Sequence, residues 1–264
     1  MEHAARLTSV ELVFSRRLTA NAAGRDRQRA ELANPGSHLE ISRATSSLND
    51  FGLQMRKDYR LLFGPVAGVI LTFGIAGLAL MIPGYSHVHQ TVSEIGEIGS
   101  PARVPFAIML CCVAACILVF AQAVRYRSLQ AGYSAAAAYL TGFMALSAAG
   151  VGLFAYPNPL HNVFGISELI GYQAPLCLAL TWKRDHRATL LVSLSWILYV
   201  IICAAIVLNL SSLDRQGTVW AYVKPAYGLA QRALFAAWFG WCAVVGLIFL
   251  QRKWQRPSVL EPSS

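Results

Sequence analysis

Long apolar runs separated by short polar segments dominate the chain after residue 60. A hydrocarbon core about 30 Å thick requires about 20 residues of apolar helix. Six stretches reach that length and carry few charges, so the pattern predicts an all-α membrane protein, a six-transmembrane-helix bundle. The predicted spans run from Leu61 to Pro83, Val104 to Ala123, Tyr133 to Tyr156, Val163 to Trp182, Ala188 to Leu210, and Tyr227 to Leu250.

The composition excludes a soluble globule. Charged residues make up 13% of the chain, hydrophobic residues 56%, and the mean hydropathy is +0.48. A soluble domain has about a quarter charged residues because water must wet its surface. The net charge of +9 does not indicate nucleic-acid binding, since the basic residues lie beside apolar runs and not among aromatic residues on a polar face. We therefore predict membrane lipids as partners and no nucleic acid.

Lys and Arg are unevenly distributed between the segments that join the spans. Eighteen lie on one side of the membrane and three on the other, and Arg232 lies inside the sixth span. Cytoplasmic segments carry the excess of Lys and Arg. The sequence therefore predicts a multi-pass protein of the plasma (inner) membrane with both termini in the cytoplasm.

The first 60 residues differ from the rest of the chain. They combine both signs of charge with Ala, Asn, Gly and Ser, and they lack an apolar face long enough to bury. This composition is typical of disordered segments. We therefore predict a cytoplasmic, disordered extension at 1–60, a membrane domain at 61–251 and a cytoplasmic tail at 252–264. A native product that starts at Met55 remains an alternative.

The segment that follows the first span, Pro83 to Phe106, is rich in polar side chains. Val88, Val92 and Ile95 are spaced to form one apolar stripe of a helix. We therefore predict a short amphipathic helix that lies at the outer interface or folds over the mouth of the bundle. The candidate outer-loop motif comprises Tyr85, Ser86, His87, His89, Ser93 and Glu94.

Three strings in this loop and beyond it resemble a known family. Pro-Gly-Tyr-Ser-His begins at Pro83, Gln-Thr-Val-Ser-Glu-Ile-Gly begins at Gln90, and PNPLHNVFG covers residues 157–165. They are similar to the bacterial membrane-protein family called domain of unknown function 998. The resemblance covers roughly Leu61 to Leu250 and omits the first 60 residues. It implies a six-span fold with the topology above, and it carries over no activity.

His87, His89 and Ser93 in this loop are candidate groups for metal binding or catalysis. In a helix, the rings of His87 and His89 point about 200° apart, and no third ligand has a spacing typical of zinc sites. The six cysteines all lie in apolar stretches, where cysteine acts as a small hydrophobic residue. We therefore predict no metal and no cofactor. Ser93 lacks the sequence of a hydrolase nucleophile elbow, so its predicted role is a loop hydrogen bond.

Two charged side chains lie within the spans, Glu168 in the fourth and Arg232 in the sixth. An ionisable group there costs at least about 2.5–3.5 kcal/mol on insertion scales, so it faces protein or a water-filled cavity. Both lie at a similar depth in the outer half, which predicts an ion pair between them. The candidate polar cavity comprises Glu168, Arg232, His161, Tyr172, Gln231 and Asn162.

A polar cavity in this position favours the binding or handling of a lipid or other amphiphile in the outer half of the membrane. One alternative is an integral-membrane enzyme with Glu168 as acid/base, assisted by His161 or His87, because a buried carboxyl group is suited to proton transfer near neutral pH. A small transporter and a structural or regulatory membrane protein are the others. The sequence leaves the oligomeric state open.

Overall fold

The computed structural model describes residues 59–251. Six helices in this part are long and apolar enough to cross a membrane, which confirms the predicted six-span fold. Residues 59–251 contain no β-strand. The predicted N-terminal extension, up to residue 58, and the tail at 252–264 lie outside the described residues.

The α-helices of the described part are labelled α1 to α8 in chain order. The first three spans contain α1 (Phe63–Ala79), α2 (Arg103–Gln130) and α3 (Ala136–Leu153). The fourth span is divided into α4 (Pro159–Gly171) and α5 (Ala174–Trp182), and the fifth contains α6 (Thr189–Leu210). The sixth contains the short α7 (Thr218–Val223) and the long α8 (Tyr227–Gln251). Short 3-10 helices precede or follow several of them, at Arg60–Leu62, His186–Ala188, Ser211–Leu213 and Lys224–Ala226.

The interruption of the fourth span has a local cause. Pro175 has no backbone N–H, and its ring clashes with the carbonyl four residues earlier, so a continuous helix through Gly171 is disfavoured. Helix α4 begins at Pro159, directly after Asn158, whose side chain accepts a 2.9 Å hydrogen bond from the backbone N–H of Leu160. An asparagine cap followed by proline at the first helical position is a common helix start.

The six spans form a closed ring. Each span packs against the next one in sequence, and α8 closes the ring by packing against α1 as well as α6. Successive spans alternate in direction, so residues 80–102, 154–158 and 211–226 lie at the same end of the bundle. We call this the loop end, and the other the opposite end.

Large aromatic side chains fill the ring toward the opposite end. Phe120, Trp182, Trp241 and Phe249 have an exposed fraction of 0%. The rings of Trp182 and Phe249 lie 5.3 Å apart, and Nε1 of Trp241 donates a 3.1 Å hydrogen bond to Oγ of Ser195. Buried aromatic rings contribute much of the packing energy of a core. They close the interior on this side.

Residues 80–102 form turns with one 3-10 helix, Ser93–Gly96. The predicted amphipathic helix is therefore reduced to a single short turn. Of its apolar stripe, Val92 and Ile95 are buried, whereas Val88 is 40% exposed. Several side chains here accept hydrogen bonds from backbone N–H groups, which takes the place of helical backbone bonding.

Candidate functional site

Arg232 binds the segment 80–102, called the loop from here on, to the sixth span. Its Nη1 donates hydrogen bonds to the backbone oxygens of Gln90 at 3.0 Å and Gly228 at 2.8 Å. Its Nη2 donates to the hydroxyl of Tyr85 at 2.7 Å and to Nδ1 of His87 at 3.1 Å. Because a guanidinium only donates, Nδ1 of His87 accepts, and the imidazole is neutral in this arrangement.

The electrostatics of the loop agree with this arrangement. Burial and the positive charge of Arg232 lower the pKa of His87 below its usual value. Burial raises the pKa of Tyr85, although the hydrogen bond and charge of Arg232 act in the other direction. The cation is therefore bound by groups that are all neutral at pH 7.

The predicted ion pair between Glu168 and Arg232 is wrong. Within residues 59–251, Glu168 accepts a 3.3 Å hydrogen bond from the hydroxyl of Tyr172, whereas all the hydrogen bonds of Arg232 go to the loop and to its own helix. Matching depth in two helices fixes neither their rotation nor the direction of a long side chain. The arginine reaches toward the loop end, where backbone oxygens are available.

Two further side chains hold the loop against the sixth span. Oε1 of Gln231 accepts a 2.6 Å hydrogen bond from the backbone N–H of Val92. Nδ1 of His89 lies 2.6 Å from the backbone oxygen of Pro225. Since a carbonyl oxygen only accepts, Nδ1 of His89 donates. The loop is therefore held at several points along the sixth span, in the 3-10 helix Lys224–Ala226 and in α8.

Inside the loop, Glu94 and Ser86 shape the backbone. The carboxylate of Glu94 accepts hydrogen bonds from the backbone N–H of Thr91 at 3.0 Å and from the Thr91 hydroxyl at 2.9 Å. The oxygen of that hydroxyl accepts a 3.3 Å hydrogen bond from the backbone N–H of Glu94. This reciprocal arrangement is a capping box. Ser86 accepts a 3.4 Å hydrogen bond from the backbone N–H of His89. Both side chains serve the turn that precedes Ser93.

A cavity lies inside the ring at the loop end. About 50 Å³ of it is open to the centres of water-sized molecules, several times the roughly 10–15 Å³ that one water needs. Ser93, Glu168 and Tyr172 supply hydroxyl and carboxyl groups to its wall. The wall is otherwise largely apolar, with side chains that include Phe106, Leu110, Ile117, Met144, Phe235 and Phe239.

Trp238 is a cavity residue with a buried indole N–H. It lines the cavity and is 1% exposed, and its Nε1 has no acceptor among residues 59–251. A buried donor without a partner costs about 1–3 kcal/mol. A ligand oxygen or a water within reach of this N–H would remove that cost.

Ser93 joins the cavity to a buried histidine. Its Oγ lies 3.1 Å from Nε2 of His161, which is 6% exposed. Nδ1 of the same ring lies 2.9 Å from the backbone oxygen of Phe154 and 3.2 Å from that of Val151. Because carbonyl oxygens only accept, these contacts assign the proton to Nδ1, and the free Nε2 accepts from the hydroxyl of Ser93.

Only some of the six predicted cavity residues lie at the cavity in the structure. Glu168 and Tyr172 line the cavity, and His161 reaches it through Ser93. Asn162 is exposed. Within residues 59–251, no three His, Cys, Asp or Glu side chains are grouped to hold a metal ion. Four of the predicted residues do not themselves line the cavity: His161, Gln231, Arg232 and Asn162.

Residues 65–248 match the model of a family described as a protein of unknown function, DUF998. The chain belongs to the DUF998 family. The resemblance inferred from the loop strings is therefore confirmed, and the match includes the loop, both halves of the fourth span and nearly all of the sixth. No curated protein and no solved structure matches the chain.

The cavity of this DUF998 protein combines several polar side chains with a largely apolar wall. Glu168, Trp238 and Ser93 line it, and Oγ of Ser93 lies 3.1 Å from Nε2 of His161. Hydrogen bonds gain strength where water is excluded. The arrangement is suited to hold a polar group that is attached to an apolar chain.

Proposed function

We propose that this DUF998 protein binds a membrane amphiphile, with the polar group of the ligand in the cavity at the loop end. The observation that carries the proposal is the cavity itself. An apolar wall suits hydrocarbon, while Glu168, Tyr172 and the indole N–H of Trp238, which has no acceptor among residues 59–251, suit a carbonyl or hydroxyl group. An amphiphile supplies both kinds of surface in one molecule.

The distribution of Lys and Arg supports the outer half of the membrane as the location of this cavity. The segments at the opposite end carry most of the basic residues, and basic segments face the cytoplasm. The loop end then faces outward. The ligand we propose is therefore a lipid or related amphiphile of the outer leaflet.

Two observations disfavour two alternative functions, a transporter and a purely structural membrane protein. A transport route needs access from both faces, yet buried rings such as Trp182 and Phe249 fill the ring toward the opposite end. A purely structural role for the intramembrane charges fits best when Glu168 and Arg232 pair and leave no cavity. In the described part they do not pair, and Glu168 lines a cavity.

Photo-cross-linking tests the proposal. The full chain is reconstituted in vesicles of phosphatidylethanolamine and phosphatidylglycerol that contain a phosphatidylcholine whose acyl chain carries a diazirine close to the ester and a terminal alkyne. We expect cross-links to peptides of α2 and α3, and Ala148→Phe should reduce them at least fivefold because it fills the cavity.

Ala236→Phe is the matched control for this experiment. Ala236 is exposed on α8, whereas Ala148 lines the cavity, so the two variants add the same side chain in different places. Ala236→Phe should cross-link like the wild type. If a folded Ala148→Phe variant cross-links like the wild type as well, the ligand is not in the cavity and the proposal fails.

A further inference from the structure

We infer that Ser93 and His161 form a nucleophile–base pair that transfers the acyl group of an ester-linked amphiphile. The inference rests on the proposed function in one respect, that the ester must lie in the cavity. It goes beyond binding, because it assigns a covalent reaction to two residues of the site. The substrate class is a carboxylic ester of a membrane amphiphile.

The geometry of the pair is that of an activated serine. The 3.1 Å distance between Oγ of Ser93 and Nε2 of His161 is within the range for a nucleophile bound to its general base. The proton on Nδ1 is held by the backbone oxygens of Phe154 and Val151. These carbonyls take the place that a carboxylate has in a Ser-His-Asp triad, since they fix the tautomer and the orientation of the ring.

Each partner is also held in place by its own segment. Ser93 begins the 3-10 helix Ser93–Gly96, directly after the capping box of Thr91 and Glu94. His161 lies in the first turn of α4 and is buried. Ser93 is half-buried and lines the cavity, so the residue lies beside the space that we assign to the substrate. A serine pinned only to stabilise the loop would not need to face a cavity.

The reaction follows from these positions. Oγ of Ser93 forms a bond to the ester carbonyl carbon while its proton moves to Nε2 of His161. The tetrahedral intermediate then breaks its bond to the alcohol oxygen, which leaves with the proton from Nε2. Water or a second alcohol gives its proton to Nε2, attacks the acyl-serine and releases the acid or a new ester. Ser93 regains its proton from the imidazole.

An alkyl fluorophosphonate tests the pair without knowledge of the natural ester. This probe phosphonylates activated serines with loss of fluoride. We expect it to modify Ser93 of the full chain in vesicles, as located by mass spectrometry of the tryptic peptides. Ser93→Ala should show no modification at this position. His161→Asn should react roughly 100-fold more slowly, because the amide can still donate to a carbonyl but cannot take up a proton.

Ser167→Ala is the matched control. Ser167 lies on the same helix as His161 and shares a 2.8 Å hydrogen bond with Ser147, so it forms a comparable buried contact without a base. It should leave the modification of Ser93 unchanged. The proposal is overturned if wild-type Ser93 does not react, or if folded His161→Asn reacts at the wild-type rate.

Failure of this inference is distinguishable from failure of the proposed function. If Ser93→Ala retains the phosphatidylcholine cross-link while wild-type Ser93 is unreactive, the protein binds an amphiphile and the serine only holds the loop. If Ser93 reacts in a His161-dependent manner but the cross-link does not depend on the cavity, the nucleophile–base pair stands and the assignment of the ligand site is wrong.

Discussion

Arg232 in the sixth span donates a 2.7 Å hydrogen bond to the hydroxyl of Tyr85, 147 residues earlier in the chain. The bond joins α8 to the loop that covers the end of the ring. It also explains why the arginine does not pair with Glu168, since its Nη groups bond the loop and Gly228. The carboxyl group of Glu168 is thereby left for the cavity.

Glu168→Gln and Arg232→Gln should affect stability independently, because the two side chains share no hydrogen-bond partner among residues 59–251. Arg232→Gln alone should lower the free energy of unfolding by about 1.5–3 kcal/mol through the loss of its charge-assisted bonds. The coupling in a double-mutant cycle, measured by unfolding in detergent, should stay below about 0.5 kcal/mol. Arg103→Gln, at an exposed position, is the control. A coupling above about 1 kcal/mol would mean that the charges interact.

His87 should make stability depend on pH. The pKa of His87 is lowered in the folded protein, whereas in the unfolded chain it is about 6.5. Between these two pKa values the unfolded state binds more protons than the folded state. Stability should therefore be constant above about pH 7 and fall as the pH drops through 6.5 toward the lowered pKa. The melting temperature of His87→Gln, measured from pH 7.5 to 5, should fall less steeply than that of the wild type.

The variant Arg232→Gln provides a control for this pH experiment. The positive charge of Arg232 contributes to the lowered pKa of His87, after burial. In an Arg232→Gln background, the effect of His87→Gln on the pH slope should therefore be smaller. Identical slopes for the wild type and His87→Gln would contradict the neutral imidazole described here.

Gly228→Ala should destabilise the loop, whereas Gly240→Ala on the same helix should not. A Cβ at position 228 would lie 2.7 Å from the backbone oxygen of His87 and 2.9 Å from that of Val88, but one at position 240 would meet no atom of the described residues within 4 Å. We expect a loss of about 1–3 kcal/mol at 228 and a gain of about 0.5–1 kcal/mol at 240 from the helix preference of alanine. Unfolding in detergent measures both, and equal effects would contradict the close contact.

The orientation of the bundle is open to a direct test. A reporter fused after Ser264 should be active only in its cytoplasmic form, and one inserted near Ser100 only in its external form, because basic segments remain in the cytoplasm. Alkaline phosphatase and green fluorescent protein serve as the paired reporters. An external C-terminus would place the loop end in the cytoplasm and the cavity in the inner half of the membrane.

Hydropathy predicted the number and the approximate bounds of the spans, because the thickness of a bilayer restricts them directly. Helical spacing also predicted that Glu168 and Tyr172 share a face, since four residues make about one turn. The contact between Ser93 and His161 joins residues 68 positions apart and depends on the path of a loop. The single sequence contains no signal for such a contact, just as it contains none for the partners of Arg232.

The closure of the ring between α1 and α8 has a consequence for biogenesis. As the chain leaves the ribosome, the first five spans can insert and pack in order, yet one wall of the cavity and the anchors Gln231 and Arg232 are still missing. The polar loop then lacks its hydrogen bonds to the sixth span, although the loop is synthesised much earlier. The site is therefore complete only when the sixth span has joined the bundle, and a chain that stalls before residue 227 would present quality-control proteases with an open bundle.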